Sequence, residues 1–306
     1  MNVFIDGSAG TTGLRIRERL SDRADLTLPA LPEEARKDPA ARRDCFLLAD
    51  VIFLCLPDAA AIEAVSLMEG VKGVVIDTST AHRVAPGWTY GLPELPGQKE
   101  KIAAAPFIAN PGCHATGFIS LAAPLVAAGI VPADLPLSCF SLTGYTGGGK
   151  KMIAQYEEEG RDPLLDAPRQ YGLTQKHKHL PEMAVYAGLS VSPAFCPIVA
   201  DFPCGMEVTI PLFASQLKGT KADIEAAYAA AYAGPVIRYT EAADEGGFLS
   251  ASALAGKDGL EVSVAGNEER ILVTARFDNL GKGASGAAIQ NMNLALGVPE
   301  TTGLVL

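Results

Sequence analysis

A cysteine at a helix start, two histidines spaced two apart and a glycine-rich turn are the residues of this chain best suited to chemistry. In NPGCHAT, residues 110–116, Pro111 and Gly112 end an extended segment sharply and Cys113 falls at the start of a helix. The amides of a helix's first turn stabilise a negative sulfur, so a thiolate is accessible there and can attack an acyl carbon. Several of the other cysteines, Cys45, Cys55, Cys139, Cys196 and Cys204, lie in apolar runs such as VIFLC and LSCF, and all five read as small buried hydrophobes. The six cysteines form no CxxC pair, which argues for reduced thiols over a disulfide frame or a zinc site.

In YGLTQKHKHLPE, residues 171–182, His177 and His179 stand two apart and Glu182 follows three further on. An imidazole here can move protons at the thiol and at a developing alkoxide, and a carboxylate can orient the ring. Two such histidines also suit a metal, but no further His/Cys cluster completes a site, so no metal is expected.

The glycine-rich turn is GSAGTTG, with Gly7, Gly10 and Gly13, and Ser8, Thr11 and Thr12 between and beside them. Its first two glycines are separated by two residues rather than one, so the pattern is weak alone. Its context is stronger: it follows the apolar run NVFID and opens the amphipathic stretch LRIRERL, where helix amides favour a pyrophosphate. An NAD-specific fold usually places an acid at the end of the second strand, about 20 residues beyond the glycines. Here residues 26–31 run into Pro32, Glu33 and Glu34 and then Arg36 and Lys37, which can neutralise a ribose 2′-phosphate, so NADP(H) is the expected cofactor.

These groups need a scaffold that holds them. Buried strands are expected at residues 2–6, 51–56 and 73–78, with a helix over 59–68, the alternation of a doubly wound sheet. Residues 107–110 add a strand, and 112–128 a long helix. Beyond, 137–145, 207–214, 260–265 and 271–278 read as longer strands and 221–232 as a helix laid against them. The fold class is therefore α/β: a Rossmann-type doubly wound nucleotide domain over 1–112, followed by an α+β catalytic and oligomerisation domain over 113–283. A last helix falls within 284–306.

The net charge of -10 excludes a general nucleic-acid binder, which needs clustered positive charge. With 48% hydrophobic and 20% charged residues the composition is that of a globular protein. No apolar run reaches the roughly 18 residues that span a bilayer, and the start MNVFIDGSAG lacks a basic region followed by an apolar core. A cytoplasmic enzyme acting on a small molecule, with no membrane partner, is the expectation. An apolar, strand-rich second domain points to a homodimer or homotetramer.

NPGCHAT, HKHLPE, SLTGYTGGGK (141–150) and GASGAAIQNMNLALG (283–297), in this order, resemble the short form of the N-acetyl-γ-glutamyl-phosphate reductase family. The resemblance implies a fold like glyceraldehyde-phosphate dehydrogenase, with the C-terminal helix returning to the nucleotide domain and Ser285, Gly286 and Gln290 bordering the cofactor. It implies Cys113 as nucleophile and His177 as acid/base with His179 beside it. Arg83, in DTSTAHR, matches the position expected to bind a substrate carboxylate, which its fork geometry suits. Asn110, Tyr171 and Glu182 are the other substrate-binding candidates. The implied reaction is NADPH-dependent reduction of an acyl phosphate through a thioester on Cys113, with release of inorganic phosphate. The competing readings are an aspartate-semialdehyde dehydrogenase or aminoadipate-type reductase, a catalytically silent NADP-binding sensor, and a thiol hydrolase without cofactor.

Overall fold

The computed structural model describes residues 1–306, which divide into two compact units, Met1–Pro111 with Ala284–Leu304, and Gly112–Gly283 with Val305–Leu306. In the first, a run of apolar residues at Val3–Asp6 (β1) leads through the glycine turn into Thr11–Leu20 (α1). Then follow Pro39–Leu48 (α2), Val51–Leu54 (β2), Asp58–Ser66 (α3), Val74–Asp77 (β3), Thr89–Tyr90 (β4), Gln98–Ala103 (α4) and Phe107–Ala109 (β5). The five strands are all parallel, in the order β1-β2-β3-β5-β4.

The period of two along each strand sorts side chains to two faces. Val3, Ile5, Val51, Phe53 and Ile76 join Ile16 and Leu20 of α1, and Ala288, Ile289 and Met292 near the C-terminus, in one core. Phe4, Ile52, Leu54 and Val75 meet Phe46 of α2 and Ala64 of α3 in the other. Helices thus cover both faces, as a parallel sheet requires.

Residues 26–31, apolar as they are, form no strand: only Thr27 pairs, in an isolated bridge to Asn2. Pro29 and Pro32 interrupt the run, and a residue without an N–H cannot continue a ladder. The helix α2, not foreseen in the sequence, starts where Asp38 accepts from the amides of Ala40 and Ala41 with Pro39 at the first helical position.

The second unit opens with Cys113–Ala127 (α5) and Ser138–Gly144 (β6), then Gly149–Glu157 (α6), Arg169–Gln170 (β7), Leu180–Ala187 (α7) and Ala194–Ala200 (β8). Met206–Phe213 (β9), Lys221–Ala231 (α8), Ile237–Tyr239 (β10), Leu260–Gly266 (β11) and Arg270–Phe277 (β12) complete it. A seven-stranded mixed sheet runs β10-β11-β12-β9-β6-β8-β7. The alternating burial of β9 buries Val208, Ile210 and Leu212, while Phe213, together with Phe140 and Leu272 on the neighbouring strands, stays exposed on the opposite face.

Pro124 lies inside α5, so Ser120, four residues earlier, loses the N–H that its carbonyl would accept. The Tyr232 hydroxyl, just past α8, donates to that carbonyl at 2.6 Å, and Tyr228 donates to the carbonyl of Leu121 at 2.7 Å. The helix that carries Cys113 is thereby tied along its length. A π-turn, Gly281–Ser285, precedes the last helix, Gly286–Ala295 (α9), whose hydrophobic residues sit in the first unit's core.

Candidate active site

The glycine turn can only be built from glycine. Gly7 has φ +84°, and a Cβ there would come 2.2 Å from the carbonyl oxygen of Cys55; one at Gly13 would come 2.5 Å from the Gly7 carbonyl. The α1 N-cap is Gly10, with no side-chain cap and no acid in the first turn, so its amides are left for an outside anion. The Thr11 hydroxyl is buried and makes no hydrogen bond within the protein. Bare backbone, unspent amides and a spare hydroxyl at one helix start fit a dinucleotide pyrophosphate, with Ser8 and Thr12 on the same turn. Beneath it, Asp6 ends β1 and is paired with Arg42 of α2 through contacts of 2.8 and 3.0 Å. Burial pushes the Asp6 carboxyl up and Arg42 pulls against it. Arg42 escaped the sequence reading, although an acid at the buried end of a first strand calls for a counter-charge.

Arg36 and Lys37 are exposed, just after the short 3-10 turn Glu33–Ala35. Ser285 is buried and accepts weakly from Arg19, at 3.5 Å. Gly286 opens α9. Gln290, fully buried, donates to Glu94 and to Glu300, each at 2.9 Å, so its amide nitrogen anchors the helix.

Arg83 is buried in the first unit. Its Nε donates to the Asn110 carbonyl at 3.0 Å and one Nη to the Thr78 carbonyl at 3.2 Å. That edge of the guanidinium holds main chain and fixes the side chain in place. Asn110 is itself clamped: its amide donates to the Ala284 carbonyl and its side-chain oxygen accepts from Asn291. Next to Arg83, His82 binds Asp77 at 2.6 Å and stacks on Trp88, which fixes the course of the DTSTAHR loop.

In the second unit, Gly112 is the N-cap of α5 and Cys113 its first residue, half-buried. The Gly112 N–H donates to Oε2 of Glu182, a carboxylate 1% exposed in the first turn of α7. A Cβ at Gly283 would come 2.9 Å from the Cys113 Cβ, so a glycine there leaves the thiol its place. The remaining cysteines differ: burial pushes Cys55 up to about 12 and Cys139 far above the ordinary thiol range, which keeps them protonated.

His177, half-buried, and His179, buried, precede α7 with their rings 4.7 Å apart and nearly perpendicular. The main-chain N–H of His179 donates to Nδ1 of His177 at 3.2 Å. A ring nitrogen that accepts cannot carry the proton, so the neutral form of His177 holds its hydrogen on Nε2.

His114, which the sequence reading left without a role, is buried against both histidines, each 5.6 Å away between ring centroids, and against Phe195 at 5.2 Å. Its Nδ1 meets Ser141 and its Nε2 meets the Tyr171 hydroxyl, both at 2.7 Å. Burial, and then the charge of His177, lower its pKa to about 3. Tyr171 is pushed upward by burial and, next, by the charge of Cys113. The signal for His114 was its adjacency to the nucleophile; nothing local pointed to Ser141 or Phe195.

Two family models match, a semialdehyde dehydrogenase NAD-binding domain over residues 2–105 and a semialdehyde dehydrogenase dimerisation domain over 113–279. Proteins from Brucella ovis and Brucella suis biovar 1, each named N-acetyl-gamma-glutamyl-phosphate reductase, are 49% identical over 96% of this chain and 98% of their own. The aspartate semialdehyde dehydrogenase II of Vibrio cholerae superposes with a TM-score of 0.73 at 16% identity, over 97% of this chain and 98% of that one. The aspartate semialdehyde dehydrogenase of Francisella tularensis does so with 0.70 at 14%, over 96% and 99%. The low identity of these last two carries the shared fold alone. A Rossmann-type sheet with a bare glycine cradle, a mixed-sheet unit with a cysteine at a helix start, and near-full-length relatives at 49% identity together place this chain in the N-acetyl-γ-glutamyl-phosphate reductase family, on the semialdehyde dehydrogenase fold.

Proposed function

We propose that this protein reduces N-acetyl-γ-glutamyl phosphate to N-acetylglutamate semialdehyde with NADPH, releasing inorganic phosphate, as a step of arginine biosynthesis. The observation that carries the chemistry is Cys113 at the first residue of α5, after a Gly112 amide held by Glu182, with the His177 ring packed against that of the adjacent His114. The substrate rests on the name shared by relatives at 49% identity.

The Cys113 thiolate forms a bond to the γ-carbonyl carbon, and the carbon–oxygen bond to phosphate breaks with the electron pair leaving on phosphate. Amides of the first turn of α5 and the Nε2 hydrogen of His177 are the donors for the oxyanion that develops. Sulfur suits both halves of the reaction, because it attacks readily and leaves a thioester that is still electrophilic. NADPH held by the glycine turn would supply the hydride that reduces this thioester. Cleavage of the carbon–sulfur bond then returns the thiolate and releases the aldehyde, with His177 handling the hydroxyl proton and His179 packed beside it.

Gly7, Gly10 and Gly13 with Ser8, Thr11 and Thr12 hold the pyrophosphate, Arg36 and Lys37 the 2′-phosphate, and Ser285, Gly286 and Gln290 border the cofactor. Arg83, Asn110, Tyr171 and Glu182 shape the substrate site. The exposed apolar side chains of Phe140, Phe213 and Leu272 on one sheet face support a homodimer or homotetramer. Six free cysteines suit the reducing cytoplasm.

The test is NADP reduction with N-acetylglutamate semialdehyde, which must depend on phosphate and run faster at alkaline pH. Faster turnover of aspartate semialdehyde overturns the substrate. Cys113→Ser must keep NADPH binding, read by fluorescence, while losing the reaction; undiminished turnover in that variant overturns the covalent route.

A further inference from the structure

We propose that Asp278 and Asn279 are positioning residues for the nucleophile: Asp278 folds residues 280–283 into the turn that backs Cys113, and Asn279 clamps that turn to the glycine-rich loop 144–149. This deepens the reading above and rests on Cys113 as nucleophile.

Both residues follow directly on the end of β12, and both are buried. A carboxylate taken out of water needs donors around it, and here main-chain amides supply them. Oδ1 of Asp278 accepts from the N–H of Leu280 at 2.6 Å and of Gly281 at 3.1 Å, and Oδ2 accepts from the N–H of Gly256. The Asp278 carbonyl accepts from the N–H groups of Gly281 and Gly283, at 3.1 and 3.0 Å. One aspartate thus winds residues 280–283 around itself and joins them to a separate loop.

The turn has no slack. A methyl group on Gly281 would lie 2.0 Å from the Lys257 carbonyl oxygen, and one on Gly283 would lie 2.9 Å from the Cβ of Cys113. Further along α5, a methyl on Gly117 would meet Phe277 at 2.9 Å and Val208 at 2.6 Å. The helix therefore rests on the sheet at Gly117 and against the turn at Cys113, so the shape of the turn sets where the thiol sits.

Asn279 ties the turn to its surroundings. Its Oδ1 accepts from the N–H of Gly205 at 2.9 Å, and its Nδ2 donates to the Thr146 hydroxyl at 3.0 Å, which in turn donates to the Pro203 carbonyl at 2.6 Å. A Cβ on Gly147 would lie 3.3 Å from that Nδ2. SLTGYTGGGK, residues 141–150, has no part in the reaction steps; through this clamp it braces the turn behind Cys113.

A double-variant cycle in steady-state kinetics, with N-acetylglutamate semialdehyde, NADP and phosphate, tests the proposal. Gly283→Ala presses on Cys113 only while the turn is held, so its cost depends on Asp278. Asp278→Ala alone is expected to lower kcat about tenfold with KM for NADP within about twofold, the effect of a nucleophile misplaced by a fraction of an ångström. Asp278→Ala combined with Gly283→Ala should fall within about threefold of the poorer single variant, because a loosened turn yields to the extra methyl. Losses that multiply across the two sites overturn the proposal, as does a parental kcat in Asp278→Ala.

Asp278→Asn separates positioning from stability. Its side-chain oxygen keeps Leu280 and Gly281 while its NH2 opposes the Gly256 amide, so the melting point should drop with kcat held within about threefold. A kcat that follows the melting point in both variants marks the aspartate as structural only and overturns the proposal too. Should Asp278→Ala not fold, Asn279→Ala, which leaves the bonds of Asp278 in place, runs the same cycle with the same two outcomes. Iodoacetamide alkylation of Cys113, read by mass spectrometry of its peptide, repeats the cycle without turnover. If Cys113→Ser still reduces substrate, the reaction mechanism falls, and coupling or independence of the alkylation rates alone decides the positioning role.

Discussion

Gly283 and Cys113 are packed so closely that a single methyl group on the glycine would lie 2.9 Å from the cysteine's Cβ. The same methyl would meet the Asp278 carbonyl oxygen at 3.1 Å, so it has nowhere to retreat. Gly283→Ala must therefore move Cys113 by a few tenths of an ångström or more. Misplacement of a nucleophile by about 1 Å can cost about a hundredfold in rate. Steady-state kinetics should show kcat/KM reduced by roughly ten- to a hundredfold while NADPH still binds; a variant with parental kinetics would show that the thiol tolerates displacement.

Arg42→Ala removes the partner of a carboxylate that lies beneath the glycine turn. Breaking a buried pair from one side costs about 3–5 kcal/mol, because the remaining charge has neither water nor counter-ion. Thermal unfolding should fall accordingly, and NADPH affinity with it, since Asp6 immediately precedes Gly7. The double variant Asp6→Asn, Arg42→Met should regain most of the lost stability. If it melts no higher than Arg42→Ala alone, the stranded charge is not the cause.

Tyr232→Phe deletes the hydroxyl that serves the Ser120 carbonyl. Both residues are buried, so the carbonyl freed by Pro124 would be left without a donor, at about 1–3 kcal/mol. Chemical denaturation should report that loss, with kcat/KM held within about twofold because the tyrosine lies outside the reacting groups. An unchanged midpoint would mean that water replaces the hydroxyl.

Stability toward acid should carry the mark of His114. Burial lowers its pKa to about 3 in the folded chain, against 6.5 for a free imidazole, so between these values the unfolded state binds the extra proton. Stability then falls as pH drops below about 6.5, with a slope approaching 1.4 kcal/mol per pH unit. Asp6 and Glu207, both pushed upward by burial, contribute the opposite slope in the acid range. The difference between parent and His114→Gln isolates the histidine: the parent's denaturation midpoint should fall relative to the variant's as pH falls from 7 toward 4. Parallel curves across that range would show that His114 titrates normally.

Much of the site could be read locally because its determinants act over a few residues. Pro111 and Gly112 stop a strand and leave Cys113 on the first helical turn whatever the rest of the chain does. The glycines at 7, 10 and 13 admit a backbone path that a side chain would block. Alternating and continuous apolar runs likewise set most strands. Residues 26–31 are apolar yet form no strand, because Pro29 and Pro32 remove donors that a ladder needs.

What only tertiary structure decided is which distant groups share one low-dielectric space. His114 meets Ser141 across 27 positions and Tyr171 across 57, and Arg42 meets Asp6 across 36. No spacing rule links such residues, since the sheet and helices bring them together only after packing. Hydrogen positions follow the same logic: a lone histidine has two neutral tautomers in water, and the choice at His114 and His177 is made by the donor that burial sets against Nδ1. Residue types and local turns determined that a thiolate and a dinucleotide cradle would exist, whereas the folded interior, by excluding water, determined which hydrogens face them.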